Sequence, residues 1–398
     1  MSTLSSAGAS DNINRSLLIK TENKPRYKKG PVDIPFVVIL LVLLVFGIVM
    51  MFSAGYAWAI NEDHPGDYYL IRQVLFASGG LIVAWFISHI DYRFYKKKWI
   101  LITLSAVTLI MLILCRFGPL TAPKNGSWRW LNVGFDFQPS EIAKFAVVVL
   151  FAYFISENYK KMKRFTVGVI PFAIVLAVTA TLLMIQPHLS ATIIICCIGA
   201  VMMLIGGTRI GHLLILIIVG AAALLCVIYI MYKMGYTYFY ERLNSMVNTM
   251  DESAAETWQT RQSLIAIGSG GWFGLGLGNS RQKFMYLPES KNDFVYAIVC
   301  EELGFIGALA VIILFLLFIL RGFYIAKKAP DKFGMMLAVG LTFQIGLQAL
   351  LNIAVVTNTI PNTGISLPFF SYGGTALIMQ LAQMGIILNV SRQSLIET

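Results

Sequence analysis

Ten apolar runs, each about as long as a bilayer is thick, dominate this chain and leave little room for any other architecture. They occupy approximately residues 36–56, 73–90, 99–118, 140–157, 166–185, 189–206, 210–232, 294–322, 333–356 and 373–390. A helix needs about 20 apolar residues to cross a hydrocarbon core, and backbone inside lipid must satisfy its hydrogen bonds within its own segment. The runs therefore predict an all-α, polytopic membrane protein with ten transmembrane helices. Composition agrees: 57% of the 398 residues are hydrophobic and 13% charged, against about 25% charged in a soluble chain. A sizeable water-soluble domain is excluded. The net charge of +11 does not point to nucleic acid, because the Lys and Arg residues cluster in short connections, where positive charge sets the direction of insertion.

The basic connections alternate. The N-terminal tail, Arg93 with Lys96 to Lys98, Lys160 to Arg164, Arg209, and Arg321 to Lys332 fall on one side, which the positive-inside bias makes cytoplasmic. The chain divides into three regions: a polar, disordered basic cytoplasmic tail over 1–33, a ten-helix membrane domain over 34–392, and a short cytoplasmic tail over 393–398. Both termini are expected in the cytoplasm. The outer connections carry the acidic loop Glu62, Asp63, Asp67, a loop around 119–139, the turn 186–188, the segment 357–372, and a long extracytoplasmic loop, 233–293, between helices 7 and 8. A connection of that length usually has a function, and its Trp, Tyr and Gly content suits folding back over a cavity at the interface. The five cysteines lie inside apolar runs with no metal-ligand or disulfide spacing.

The outer loops hold the unusual side chains. Asp293 immediately precedes an apolar run, and reads either as a helix N-cap or as a reactive carboxylate at headgroup level. Lys283, Glu289, Lys291, Arg242 and Arg261 share its loop, so carboxylates and cations can converge over a lipid headgroup. Glu301 and Glu302 either line a polar cavity or anchor neighbouring helices. Ser140 is expected to cap a helix in which Glu141 and Lys144, three apart, share one face; that pair is either a local ion pair or a cation presented to phosphate. The run Gly268 to Gly278 lacks the Lys-Ser/Thr ending of a phosphate-binding P-loop and reads as tight turns or as backbone amides facing an anion. A break in the long run after Asp293 is expected at Gly304 or Gly307. His188 reads as a turn residue, and Pro361 to Gly374 (PNTGISLPFFSYGG) as a re-entrant or outer-surface segment.

Several of these segments form one ordered set: Arg72-Gln73, Arg129-Trp130, Gln138 to Lys144 (QPSEIAK), Gln186-Pro187, Gln262 to Gly271 (QSLIAIGSGG), Tyr286 to Glu289 (YLPE), Asp293-Phe294, Glu301 to Gly304 (EELG) and Leu367 to Gly374 (LPFFSYGG). Over about residues 34–392 the chain resembles the SEDS family of bacterial cell-wall polymerases, the FtsW, RodA and SpoVE proteins. The resemblance implies a peptidoglycan glycosyltransferase that polymerises lipid II at the outer face of the bacterial cytoplasmic membrane. Its partners would be the growing glycan strand, membrane lipid, a class B penicillin-binding transpeptidase and the division, elongation or sporulation machinery.

The same resemblance makes Asp293 the catalytic residue and places Arg72, Glu141 and Lys144 in the substrate cavity. Arg242, Gln262, Lys283, Glu289 and Ser371 complete the substrate-binding candidates. In this reading Asp293 is a general base and undecaprenyl diphosphate the leaving group, with a divalent cation, Mg2+ or Mn2+, as an optional cofactor of unassigned ligands. An ordinary Asp, with a pKa near 3.9, is a weak base, and neighbouring cations are expected to weaken it further. Two departures from the family pattern stand out: Lys291-Asn292 where His-Thr is common, and His188 where Asp often follows Gln-Pro. A lipid II flippase is the rival from another class, and a scaffold that only recruits the transpeptidase is a weaker one.

Overall fold

The computed structural model describes residues 30–119, 121–124, 127–132, 136–235, 242, 246 and 255–393. The expected tails over 1–29 and 394–398 and most of 236–254 lie outside the described residues. Among the described residues there are eleven helices of 16 residues or more: α1 (Ile34–Asn61), α2 (Tyr68–His89), α3 (Lys98–Phe117), α4 (Pro139–Asn158), α5 (Ile170–Ile185), α6 (Leu189–Ile205), α7 (Ile210–Lys233), α8 (Ala255–Gly270), α9 (Val295–Lys327), α10 (Lys332–Val356) and α11 (Gly374–Arg392). Among the described residues nine helical segments are long and apolar enough to cross a membrane, and α6, with 17 residues, is a shorter apolar helix. The expected spans and these helices coincide within a few residues at most ends, because run length and helix length are set by the same bilayer thickness.

Both described ends lie at one end of the bundle. The Gly30 N–H donates to the Arg392 carbonyl (2.7 Å), and Asp33 caps α1 through Phe36 N–H (2.9 Å) while pairing with both Nε and Nη2 of Arg321 (2.8 and 2.7 Å). Residues 30–33, expected in the tail, are thus fastened to the membrane domain. Arg93 with Asp331 (3.1 Å) gathers there too.

The fold departs from a purely helical plan in the α3–α4 connection. A small antiparallel sheet forms there, with β1 (Thr121–Lys124), β2 (Ser127–Asn132) and β3 (Asp136–Phe137) in the order β1-β2-β3. Trp128, Trp130 and Leu131 give β2 the aromatic and apolar content that favours strand, and β2 carries Arg129 towards the bundle.

The long connection between α7 and α9 contains α8, and the glycine-rich run after this helix docks on a break in α9. Gly304 sits at φ 66, ψ −164 inside α9, a conformation open to glycine at little cost. The break frees backbone groups that must find partners in a low-dielectric setting. The Glu301 and Glu302 carbonyls accept from Leu275 and Gly276 N–H (2.9 and 3.0 Å), and Phe305 and Ile306 N–H donate to Gly271 and Trp272 carbonyls (2.9 and 3.3 Å). The glycine-rich run is therefore a set of turns whose amides meet carbonyls, not an anion. Gly274, at φ 80, lies so close that a methyl group on it would stand 2.1 Å from the Glu302 carbonyl oxygen.

Candidate functional site

Asp293 stands in a run of turns just before α9. That helix starts at Val295, its N-cap is Phe294 and it has no side-chain cap bond, so Asp293 is not an N-cap. Its backbone carbonyl instead accepts from Asn352 Nδ2 (2.7 Å), an amide on α10 that also reaches the Ile365 carbonyl (2.6 Å). The carboxylate points to Gly364, where φ is 67 and the absent side chain leaves room. A methyl group there would lie 3.3 Å from Asp293 Oδ2, 3.9 Å from Arg129 Nη1 and 4.0 Å from Arg242 Nη1. One carboxylate and two guanidinium groups, from three distant parts of the chain, thus meet at a single point.

The arginines are aimed by backbone carbonyls: Arg129 Nη2 donates to Pro187, and Arg242 Nη1 to Asn362. Among the described residues no side chain hydrogen-bonds the Asp293 carboxylate. Asp293 is only partly exposed, and its desolvation, reinforced by the nearby Glu289 carboxylate, pushes its carboxyl up to about 6 against the pull of Arg242 and Arg129. The expectation that cations would make it a still weaker base is thereby reversed, because burial outweighs them.

A second group lies about one helical turn further along α10. Lys144 Nζ pairs with Glu141 Oε1 (2.8 Å) and donates to Gln348 Oε1 (2.8 Å), and the Lys144 and Glu141 side chains are 3% and 6% exposed. Gln348 and Asn352 are four residues apart, about 6 Å along the axis. Glu141 Oε2, Ser140 Oγ and His188 Nδ1 are buried without a hydrogen-bond partner in the structure, so this is a buried polar cluster with bonding capacity left over. His188 faces Gln138 (3.4 Å); burial and then the charges of Arg129 and Lys144 hold its imidazole well below the usual range, so it is neutral at pH 7. Ser140 does not cap α4: the helix begins at Pro139 after Gln138, and Pro at the first position replaces an amide that would need a cap.

Other sequence candidates fall elsewhere. Lys283 is spent on Glu302 (3.0 Å), Ser53 Oγ (3.1 Å) and the Gly278 carbonyl (2.5 Å), while Glu301 accepts from Ser280 Oγ (2.5 Å) and Arg281 N–H (2.9 Å). Both glutamates are anchors for the docked loop, and the structure does not bring Lys283 to Asp293. Arg72 is exposed on α2, over the Tyr68 ring (4.4 Å). Ser371 Oγ accepts from Leu367 N–H (2.7 Å) and pins the 367–371 turn. Gln262 is buried on α8 beside Ser263, whose hydroxyl donates to the Val356 carbonyl (2.8 Å). Glu289 lies close enough to Asp293 to raise its carboxyl.

Sequence reasoning passed over Gln348 and Asn352. With Gln344 they recur every fourth residue on an otherwise apolar span, so one polar stripe on α10 was the available signal. For a divalent cation the fit is poor: among the described residues no group of three or more His, Cys, Asp or Glu gathers, and the Asp293 carboxylate already lies beside two arginines.

The fold and site define a multi-pass helical membrane protein with a cluster of charged side chains gathered around Asp293. A model of the FtsW, RodA and SpoVE proteins, described as "Cell cycle protein", matches residues 34–395, and the chain belongs to that family. It is 38% identical to "Stage V sporulation protein E" of Bacillus subtilis (strain 168) over 92% of this chain and 99% of that protein. It is 36% identical to "Probable peptidoglycan glycosyltransferase FtsW" of Geobacter sp. (strain M18) over 90% and 96%. The fold is shared with a chain of a peptidoglycan synthase complex (TM-score 0.72, 24% identity, covering 91% of this chain and 98% of that one). It is shared as well with the rod shape determining protein RodA of Thermus thermophilus (TM-score 0.65, 24% identity, 91% and 97%).

Proposed function

We propose that the protein is a peptidoglycan glycosyltransferase that polymerises lipid II at the outer face of the cytoplasmic membrane, with both termini in the cytoplasm. Naming of relatives as peptidoglycan glycosyltransferases supports the class, and the likeness to a chain of a peptidoglycan synthase complex supports a class B transpeptidase as partner. The carrying observation is Asp293: a carboxylate with no hydrogen bond among the described residues, pushed up to about 6, between Arg129 and Arg242.

Lipid II joins a disaccharide through diphosphate to a lipid that stays in the bilayer, so its chemistry must occur at headgroup depth. Asp293 accepts the proton of the acceptor sugar's 4-hydroxyl while that oxygen attacks the donor's anomeric carbon. The bond to the diphosphate breaks, and undecaprenyl diphosphate leaves with the bonding pair. Attack from the opposite face inverts the anomeric configuration. Diphosphate needs charge stabilisation rather than protonation, so one base replaces the acid and base pair of hydrolases. Arg129 and Arg242, the cations nearest the Asp293 carboxylate, supply that charge. Lys144, Glu141 and neutral His188 form the adjoining polar cluster and contact uncharged parts of the substrate, and exposed Arg72 meets the headgroup. A base with a pKa near working pH is also more effective than an ordinary carboxylate.

Purified protein supplied with its transpeptidase partner and lipid II tests this. Wild type should form glycan strands, and Asp293→Asn should form none while keeping its helical spectrum. Translocation of lipid II without polymer would instead establish a carrier.

A further inference from the structure

The turn that presents Asp293 has bonds of its own, from Asn292 and Phe294 N–H to the Glu289 carbonyl (3.0 and 3.3 Å) and from Asn292 Nδ2 to the Glu289 carboxylate (2.5 Å). It has no side-chain helix cap, and Glu289, which opens it, is held at φ 55, a left-handed conformation that a side-chain-bearing residue keeps only when its surroundings enforce it. Ties from outside the turn hold it as well. Asn352 provides one, on the Asp293 carbonyl. The others converge two residues earlier, at Lys291.

Lys291 Nζ donates to Glu62 Oε1 (2.9 Å) and to the Tyr69 hydroxyl (2.5 Å), which itself donates to Glu62 Oε2. The ammonium also lies over the Tyr69 ring (4.0 Å) and the Trp58 ring (4.7 Å). Next to it, Ser290 Oγ accepts from Trp58 Nε1 (2.9 Å). On its backbone side, the Lys291 carbonyl accepts from Tyr372 N–H (2.9 Å), and the Tyr372 and Tyr69 rings touch edge to face (4.8 Å). One residue thus joins the α1–α2 turn, the 367–374 segment and the turn that carries Asp293. Burial pulls the Glu62 carboxyl up, but the bonds from Tyr69 and Lys291 and the Lys291 charge prevail and hold it below the usual carboxylate range. That shift moves Glu62 away from the range in which Asp293 titrates.

We infer that Lys291 is a positioning residue: its clamp on Glu62, Tyr69 and Trp58 fixes the 289–293 turn and so sets the Asp293 carboxylate against Arg129 and Arg242. The inference rests on the proposed reaction for its kinetic reading, but its geometric content is separate.

Two measurements on full-length Lys291→Met and Lys291→Arg test it. The first is lipid II polymerisation with the transpeptidase partner present. Lys291→Met, which keeps the apolar stem and loses the charge, should lower kcat about ten- to a hundredfold, the scale of a misplaced reacting group, with KM nearly unchanged. Lys291→Arg should recover much of the loss. The second is an infrared titration of the Asp293 carboxyl, isolated by subtracting the Asp293→Asn spectrum. Its midpoint should lie near 6 in the parent and fall towards the ordinary value in Lys291→Met as water enters the loosened turn. Should Lys291→Met fail to fold, Glu62→Gln breaks the same clamp from its other end and meets the same two criteria. A Lys291→Met protein with parental kcat and parental midpoint overturns the inference. A parent protein that makes no polymer overturns the reaction instead, and the infrared midpoint still decides the clamp.

Discussion

Lowering the pH should silence this protein about two units above the point at which an ordinary aspartate would. With its carboxyl pushed up to about 6, Asp293 is about 91% ionised at pH 7, half ionised at pH 6 and about 9% ionised at pH 5. At the ordinary value of 3.8 it would still be about 94% ionised at pH 5. If the carboxylate is the base, kcat should fall about tenfold from pH 7 to pH 5, with a midpoint near 6. Two controls accompany this. The Glu62 carboxyl is held below its usual range and the His188 imidazole well below its own, so both shifts move away from a midpoint near 6. The sign of the linked stability effect is opposite. A carboxyl raised in the fold binds its proton more tightly there than in the unfolded chain, so its contribution to stability falls as pH rises from about 3.8 through about 6. Asp293→Asn should therefore remove polymerisation without lowering, and even while raising, the melting temperature at pH 7. The assay is polymerisation of lipid II in proteoliposomes from pH 4.5 to 8, beside melting curves of both proteins. A rate that stays flat down to pH 5 would refute the argument that burial and Glu289 outweigh the arginines.

Arg242→Gln should move the acid midpoint upwards, because that guanidinium lowers the Asp293 carboxyl, and should also depress kcat by removing charge from the leaving group; the pH–rate profile reads both. Lys144→Met leaves the Glu141 side chain buried without its ion-pair partner, which costs about 3–5 kcal/mol of stability; adding Glu141→Gln should recover most of it, as thermal unfolding in detergent would show. Gly274→Ala meets the Glu302 carbonyl and requires φ 80, so folded yield should collapse, whereas Gly268→Ala, with open space around it, should express normally by size-exclusion chromatography.

Much of the architecture was legible without coordinates. The apolar runs located the helices because crossing a bilayer is a local requirement on twenty or so consecutive residues. The site was legible in part. Asp293 was singled out by its place between a polar loop and an apolar run, and Glu141 with Lys144 by their spacing of three. The strand content of the 119–139 loop was missed, since short outer strands carry a weak signal against the helical runs around them. Lys283 illustrates the opposite error. Its charge and its loop were right for a substrate contact, but Glu302, a residue inside the next helix, takes it.

The chain alone determined which segments are long and apolar enough to span a membrane, which connections are basic, and that the candidate site residues concentrate in the alternate, less basic connections. Tertiary structure decided which of those side chains meet. Arg129, Arg242, Asp293 and Gly364 come together across more than two hundred residues, through close packing of helices and loops that no short window of sequence encodes. It also decided the proton affinity of Asp293, because desolvation depends on every atom packed around a carboxylate and not on its neighbours along the chain.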